Sequence, residues 1–237
     1  CVIGFTTSSL TRAAIVEHAM YPERCLVMHP FYPAWRKPVM EVVRSGNPLH
    51  DERAEQYLIA LGKVPIAVQD VPCLAGNRIF CGLMQLALQL VAQGSFGTAA
   101  QINAILRDKL GGGGVLFVHD LIPGSNGLTA NCLEELALHL RNPWWQPHPL
   151  LLEAARNKAP WLKLDDDFSY TAEQADRVMK AVKEHILVWR SDLLSHEFGS
   201  IIDSFDLHYL VREALGFELP VPEGERVYRD VKVEIDD

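Results

Sequence analysis

Two residues near the start of the chain, His29 and Glu41, have the side chains and the spacing of a proton-transfer pair. His29 follows the apolar run 25–28, and Glu41 lies inside the apolar run 38–43; both runs have the length of a short β-strand. An ionised glutamate among valine and methionine is costly unless it has a partner. A carboxylate on one imidazole nitrogen fixes the tautomer of a histidine and makes the other nitrogen a better base. We therefore expect His29 to act as a general base that Glu41 positions.

Two further polar residues are candidates for the same site, and each has a simpler structural alternative. Ser8 belongs to the hydroxyl cluster 6–9, which follows a short apolar run; such clusters more often cap a helix, and Ser8 or Ser9 could cap a helix over residues 11–18. Asn77 precedes a long apolar helix and could be its N-cap. A single histidine in a loop is also more often structural than catalytic.

Three separated motifs resemble one family. His-Pro-Phe-x-Pro at residues 29–33, with Glu41 twelve positions after His29, resembles the catalytic segment of the 3-hydroxyacyl-CoA dehydrogenase family. The His-Pro pair is closer to the branch that holds lambda-crystallin and carnitine dehydrogenase. Thr-Thr-Ser-Ser-Leu at 6–10 is similar to the family's Asn-Thr-Ser-Ser-Leu, and residues 70–78 are similar to Asp-x-Pro-Gly-Phe-x-x-Asn-Arg.

The resemblance implies a role for each candidate residue. His29 would take the proton of a substrate hydroxyl while hydride passes to NAD, and Glu41 would stabilise the resulting imidazolium. Ser8 and Asn77 would orient the reacting oxygen, while Ser8 and Pro33 would also contact the cofactor. The implied reaction interconverts a 3-hydroxyacyl-CoA, or a 3-hydroxy acid, and its 3-keto form.

The order of predicted elements gives the fold class. Strands alternate with helices to about residue 72, and almost all later segments have helical patterns, which predicts an α/β region followed by an all-α region. The resemblance assigns residues 1–72 to the second half of a Rossmann-type NAD-binding domain and residues 73–237 to a helical substrate and dimerisation domain. Cys1 begins a run that has the character of a buried strand, so we expect an upstream segment that carries the glycine-rich half.

Departures from the family pattern leave a second function open. Tyr32 replaces an asparagine and Cys73 replaces a glycine, and no G-x-G-x-x-G turn occurs among the 237 residues. The alternative is therefore an inactive structural or dimerisation relative, or a fragment that cannot bind NAD by itself. A hydrolase that uses Ser8 and His29 is disfavoured, because the chain has no G-x-S-x-G motif.

Composition excludes several other classes. The net charge of −8 comes without a basic block, which argues against a nucleic-acid partner. The five cysteines are odd in number and form no C-x-x-C, which argues against a zinc site or a disulfide framework and favours a reducing cytoplasm. His139 and His148 lack acidic neighbours at ligand spacing, so we expect no metal. No apolar run reaches the roughly 20 residues of a membrane span.

Two apolar stripes in the helical region predict self-association. Each stripe offers more apolar surface than one short domain readily covers, which points to a homodimer. The stripes are Ile79, Leu83, Leu86 and Leu90, and Val178, Val182, Ile186 and Trp189.

Overall fold

The computed structural model describes residues 1–194 and 209–216, and the side chains of residues 187–194 lie outside the described set. Four strands form one mixed sheet in the order β1-β2-β3-β4. Strands β1 and β2 are parallel, β2 and β3 antiparallel, and β3 and β4 parallel. The strands are β1 (Ile3–Phe5), β2 (Cys25–Pro30), β3 (Val39–Val43) and β4 (Val64–Ala67).

Helices make up most of the remaining described chain. The α-helices are α1 (Arg12–Ile15), α2 (Pro48–Ala60), α3 (Gly76–Gln93), α4 (Ala99–Leu110), α5 (Val115–Leu121), α6 (Ser125–His139), α7 (Pro149–Asn157) and α8 (Ala172–Leu194). Short 3-10 turns cover Pro22–Arg24 and Pro143–Trp145, and a π-helical turn covers Val211–Leu215. The predicted order, α/β followed by helices, is confirmed; the tail 217–237 lies outside the described residues.

The two faces of the sheet are covered by different helices. Successive side chains of a strand point to opposite faces, and Leu26 and Val42 join Ala54 and Leu58 of α2 in a small cluster. Val27 and Val43 belong instead to the main core, which continues into the helical region. Residues two positions away, His29 and Glu41, therefore point toward the same side as the main core.

Helix α3 is the centre of that core. It packs against α4, α5, α6 and α8, and most of its residues are buried. A helix that is apolar nearly all round is expected to be enclosed in this way. The sheet and the helical region thus share one continuous apolar core.

The two apolar stripes do not indicate a second subunit. The described residues of both stripes are buried in one core of this chain, in which α3 packs against α8 and three other helices. The described members are Ile79, Leu83, Leu86, Leu90, Val178, Val182 and Ile186; the side chain of Trp189 lies outside the described residues.

Two expected helix caps are also wrong. The first helix is shorter than 11–18, and its N-cap is Thr11 rather than Ser8 or Ser9: Thr11 has extended backbone, and its hydroxyl accepts from the Ala14 N–H. Helix α3 begins at Gly76 after Ala75, so Asn77 lies inside the first turn, where its side chain is free to contact another segment.

The part of the chain that the structure describes contains neither a membrane-spanning helix nor a cluster of metal-binding side chains. No helix there combines the length and the apolar composition needed to cross a bilayer. No three His, Cys, Asp or Glu side chains there are grouped closely enough to hold a metal ion.

Candidate active site

His29 and Glu41 form a buried hydrogen-bonded pair. They are directly opposite each other in the antiparallel register of β2 and β3, and His29 Nδ1 lies 2.7 Å from Glu41 Oε2. The His29 side chain is 8% exposed and that of Glu41 is 0% exposed. The predicted hydrogen bond is therefore present, and it leaves His29 Nε2 without a hydrogen bond among the described residues.

Glu41 has further partners that the sequence did not predict. Its Oε1 accepts the backbone N–H groups of Ala75 at 2.8 Å and Gly76 at 2.9 Å. These are donors at the N-terminus of α3, where helices favour negative charge. A carboxylate with three donors is satisfied in the core, and its acceptor oxygens require His29 Nδ1 to carry the hydrogen. Nε2 of the neutral ring is then an acceptor, as a general base requires.

Phe31 and Gly76 shape the wall behind the pair. The Phe31 ring packs edge-on against the His29 ring, with centroids 5.3 Å apart. A Cβ atom on Gly76 would lie 2.4 Å from Phe31 Cε1, which real Cβ atoms do not tolerate. Glycine at 76 therefore lets the helix backbone approach both Phe31 and Glu41. Sequence reasoning missed Gly76, although glycine at the start of an apolar helix was the available signal.

Ser8 and Asn77 are joined by a hydrogen bond, but through the main chain of Ser8. Asn77 Nδ2 donates to the Ser8 carbonyl oxygen at 2.8 Å, and the Cys73 N–H donates to the Ser9 carbonyl oxygen at 3.0 Å. The half-buried Ser8 hydroxyl has no hydrogen bond among the described residues. Because Asn77 directly follows Gly76, this contact ties the Ser8 segment to the backbone that holds Glu41.

Asp70 holds the same segment from its other end. Its two carboxylate oxygens accept the N–H groups of Arg12 at 2.5 Å and Ala13 at 2.8 Å, at the start of α1. Together with the Thr11 cap, this bond fixes where the loop after β1 ends. The loop that carries Ser8 is thus attached to the segment 70–77 at Ser8, at Ser9 and at the start of α1.

Pro33 lies in the loop between β2 and β3. Its carbonyl oxygen accepts the N–H groups of Arg36 at 2.9 Å and Lys37 at 3.1 Å. Lys63 Nζ donates to the carbonyl oxygens of Ala34 and Lys37 and so closes the same loop. These bonds order the loop, while a contact of Pro33 with the cofactor stays a prediction.

Comparison with known proteins identifies relatives for this arrangement. Residues 1–71 match the model of the 3-hydroxyacyl-CoA dehydrogenase NAD-binding domain. L-carnitine dehydrogenase of Pseudomonas putida is 30% identical over 195 residues, covering 78% of this chain and 57% of the relative. L-carnitine dehydrogenase of Pseudomonas aeruginosa is 30% identical over 217 residues, covering 87% of this chain and 63% of the relative. The chain therefore spans less than two thirds of these curated relatives.

Solved structures support the fold. Mycobacterium tuberculosis FadB2 superposes with a TM-score of 0.63 at 23% identity, covering 73% of this chain and 61% of that one. Escherichia coli 3-hydroxybutyryl-CoA dehydrogenase gives a TM-score of 0.62 at 20% identity, covering 72% of this chain and 38% of that one. These two structures support the fold alone. Residues 1–71 thus match the NAD-binding domain of the 3-hydroxyacyl-CoA dehydrogenase family, and the chain as a whole is similar to L-carnitine dehydrogenases.

Proposed function

We propose that this chain carries the proton-transfer site of an NAD-dependent dehydrogenase that interconverts a 3-hydroxy acid, or its CoA thioester, and the 3-keto form. The observation that carries the proposal is the buried His29–Glu41 pair, whose Nε2 atom has no hydrogen-bond partner among the described residues. Burying a carboxylate is unfavourable even with three donors, so packing alone does not account for this arrangement.

In this proposal His29 moves the proton. Nε2 accepts the hydrogen of the substrate hydroxyl, which leaves a positive charge on the imidazole ring. Glu41 lies 2.7 Å from Nδ1 and stabilises that charge, while the N–H groups of Ala75 and Gly76 keep the carboxylate from turning. Such a positioned base contributes about a hundredfold to ten-thousandfold in rate.

Ser8 and Asn77 orient the reacting oxygen in this proposal. The Ser8 hydroxyl is available because it has no hydrogen bond among the described residues. Asn77 holds the Ser8 main chain at 2.8 Å, so its contribution includes positioning Ser8 as well as any direct contact. A role as a serine nucleophile gains no support, because no hydrogen bond joins Ser8 to His29 in the described part of the chain.

NAD is the cofactor that the family match supports, and the residues present fit one end of it. Ser8, His29 and Pro33 would lie against the nicotinamide end, where the Ser8 hydroxyl is available. When bound, NAD supplies the acceptor for the substrate hydride. The pyrophosphate end has no G-x-G-x-x-G turn among the 237 residues. That observation also supports the alternative, a relative or fragment that cannot bind NAD by itself.

The division of the chain into residues 1–72 and 73–237 follows from this proposal. The first part supplies the cofactor side and His29 with Glu41; the second supplies Asn77 and the helices for substrate binding and a homodimer.

The buried stripes do not support dimerisation, but Leu121, Leu138 and Leu152 are 56%, 71% and 39% exposed on α5, α6 and α7. Sedimentation as a monomer at micromolar concentration would remove the dimer. The cytoplasmic location stays a prediction from cysteine usage.

The test begins with cofactor binding. The purified native protein, with its intact mass recorded, is titrated with NADH by fluorescence quenching or calorimetry. Turnover is then measured with L-carnitine and with 3-hydroxybutyryl-CoA as probes. We expect His29→Gln to lower kcat by at least about a hundredfold with folding retained. The matched control is His18→Gln, because His18 is exposed on the surface. If the His29→Gln variant turns over substrate as fast as the unchanged protein, His29 is not the general base. If the unchanged protein does not bind NADH, the result favours the alternative, a relative or fragment that cannot bind NAD by itself.

A further inference from the structure

Three buried cysteines lie together beside the candidate active site. Cys73 lies in the turn before α3, Cys81 in α3 and Cys132 in α6; their exposed fractions are 0%, 2% and 1%. All three are free thiols. The proposed mechanism uses none of them, so their position needs a separate explanation.

Cys132 joins the cluster to the active-site loop. Cys73 Sγ donates to the Cys132 carbonyl oxygen at 3.3 Å, so the two residues approach closely. Cys132 Sγ also lies 3.8 Å from the carbonyl oxygen of Ser8, which is only half-buried. A small reagent that enters beside Ser8 would therefore meet Cys132 first.

The backbone at Cys73 is strained. Cys73 and Leu74 have φ angles of +64° and +52°, in the left-handed region that favours glycine. A residue with a side chain is disfavoured in this conformation, because its Cβ atom comes too close to the following carbonyl oxygen. Strain of this kind persists where the surroundings hold it and is frequent at functional sites. Here the strained turn presents a fully buried thiol to Cys132.

We propose that Cys132 and Cys73 form a redox-modification site at which a hydroperoxide produces a reversible disulfide. The Cys132 thiolate attacks the peroxide: an S–O bond forms, the O–O bond breaks, and the other oxygen leaves as hydroxide from hydrogen peroxide, or as alkoxide from an organic hydroperoxide, and takes up the proton that the Cys132 thiol released on ionisation. The Cys132 sulfur is oxidised by two electrons, and the peroxide is reduced. Cys73 then loses its proton and attacks the sulfenic sulfur. An S–S bond forms, the S–O bond breaks, and water leaves.

The order of the two steps follows from the surroundings of each thiol. Hydrogen bonds from Cys73 and Cys81, with a smaller effect of the nearby His29, lower the pKa of the Cys132 thiol. A hydrogen bond to Cys132 and burial raise the pKa of Cys73 and of Cys81. Because the thiolate is the nucleophile, Cys132 reacts first. Cys73 then resolves the sulfenic acid, because its turn already brings its thiol to the Cys132 main chain.

The disulfide would change the candidate site through two attachments. It would link α6 covalently to the turn whose Cys73 N–H binds the Ser9 carbonyl oxygen. It would also draw Cys132 Sγ away from the Ser8 carbonyl oxygen. We expect oxidised protein to lose turnover and to recover it after reduction. This consequence rests on the proposed dehydrogenase function, whereas the disulfide itself does not.

The chemical test is independent of activity. The full chain is treated with hydrogen peroxide, alkylated under denaturing conditions and analysed by intact mass and peptide mapping. We expect the free thiols to fall from five to three, a Cys73–Cys132 cross-linked peptide, and full recovery with dithiothreitol. Cys73→Gly, which suits the left-handed turn, should abolish the cross-link. Cys25→Ala, which removes a buried cysteine outside the cluster, should leave it unchanged.

Each other outcome overturns a defined part of the proposal. A Cys81–Cys132 cross-link would show that Cys73 is not the resolving residue. Oxidation of Cys132 without any cross-link would contradict the proposed disulfide. A Cys73–Cys132 disulfide with unchanged turnover removes the consequence for activity. If Cys73→Gly does not fold, Cys73→Ser replaces it in the same assay. Reduced protein without turnover contradicts the proposed function instead, and the mapping result still decides the disulfide.

Discussion

His29 and Glu41 lie opposite each other on two antiparallel strands, and the strand register brings their side chains to 2.7 Å. A shift of one residue in β3 would send Glu41 to the opposite face of the sheet, because side chains alternate along a strand. The pair therefore depends on the register of a whole strand pair and on the loop that sets it.

Glu41→Gln tests the charge in this pair. The amide keeps the size of the side chain and can still accept the N–H groups of Ala75 and Gly76, but it cannot stabilise a positive imidazole by charge. We expect kcat to fall by about a hundredfold or more, with a small change in thermal midpoint. Glu55→Gln, which removes a carboxylate from a surface pair with Arg44, is the control and should change neither. Equal losses in both variants would count against the dyad.

Gly76→Ala tests the close packing behind the pair. The new Cβ would meet Phe31 at 2.4 Å, so we expect a loss of about 1–3 kcal/mol in unfolding free energy, measured in urea. Gly127→Ala is the matched control, because Gly127 lies in α6 with nothing within 4 Å of the added atom. That change should be neutral or stabilising by up to about 1 kcal/mol. Combining Gly76→Ala with Phe31→Leu should recover part of the loss, and no recovery would contradict the assigned contact.

Asn77 variants test the bond to Ser8. Asn77→Ala removes one hydrogen bond to the Ser8 carbonyl oxygen and should cost about 1 kcal/mol. Asn77→Asp should cost more, because it places a carboxylate oxygen against a carbonyl oxygen. Urea unfolding at neutral pH measures both free energies. The opposite order, with Asp milder than Ala, would show that the amide does not donate to Ser8.

His119 gives a prediction about acid stability. It is buried in the core, where its Nδ1 donates to the Val115 carbonyl oxygen and its Nε2 accepts from the Thr129 hydroxyl. Burial lowers the pKa of His119 from 6.5 to about 4. Between these values the unfolded chain binds a proton that the folded chain does not, so stability falls as pH falls from about 6.5 to about 4. Across this whole pH range the contribution of His119 lowers the unfolding free energy by about 3 kcal/mol.

The measurement is the unfolding free energy across that pH window. His119→Asn should reduce the slope with pH, whatever its effect on stability at pH 7.5 or so. The exposed His18→Asn is the control and should keep the slope of the unchanged protein. An unchanged slope in His119→Asn would assign the acid sensitivity to other groups.

The sequence predicted the pairing of His29 with Glu41 because a carboxylate inside an apolar strand needs a partner. It could not predict that the N–H groups of Ala75 and Gly76 bind Glu41, because every residue except proline has a backbone N–H and the sequence does not mark which ones reach a given side chain. It also left open an N-cap role for Asn77, whereas the side chain of Asn77 makes a tertiary contact with Ser8. The apolar stripes did not establish a dimer, because periodicity shows that a helix has an apolar face but does not show what covers it.

The bonds from Ala75 and Gly76 to Glu41 also bear on how this protein could be divided. A cut at residue 72 separates the four strands from all helices after α2, yet it would leave a buried carboxylate oxygen with neither of its backbone donors. The change in secondary structure at residue 72 therefore does not divide the chain into two independently stable parts. We expect the sheet region to be poorly exchangeable between relatives unless the first turn of α3 travels with it, and the two regions to unfold as one cooperative unit.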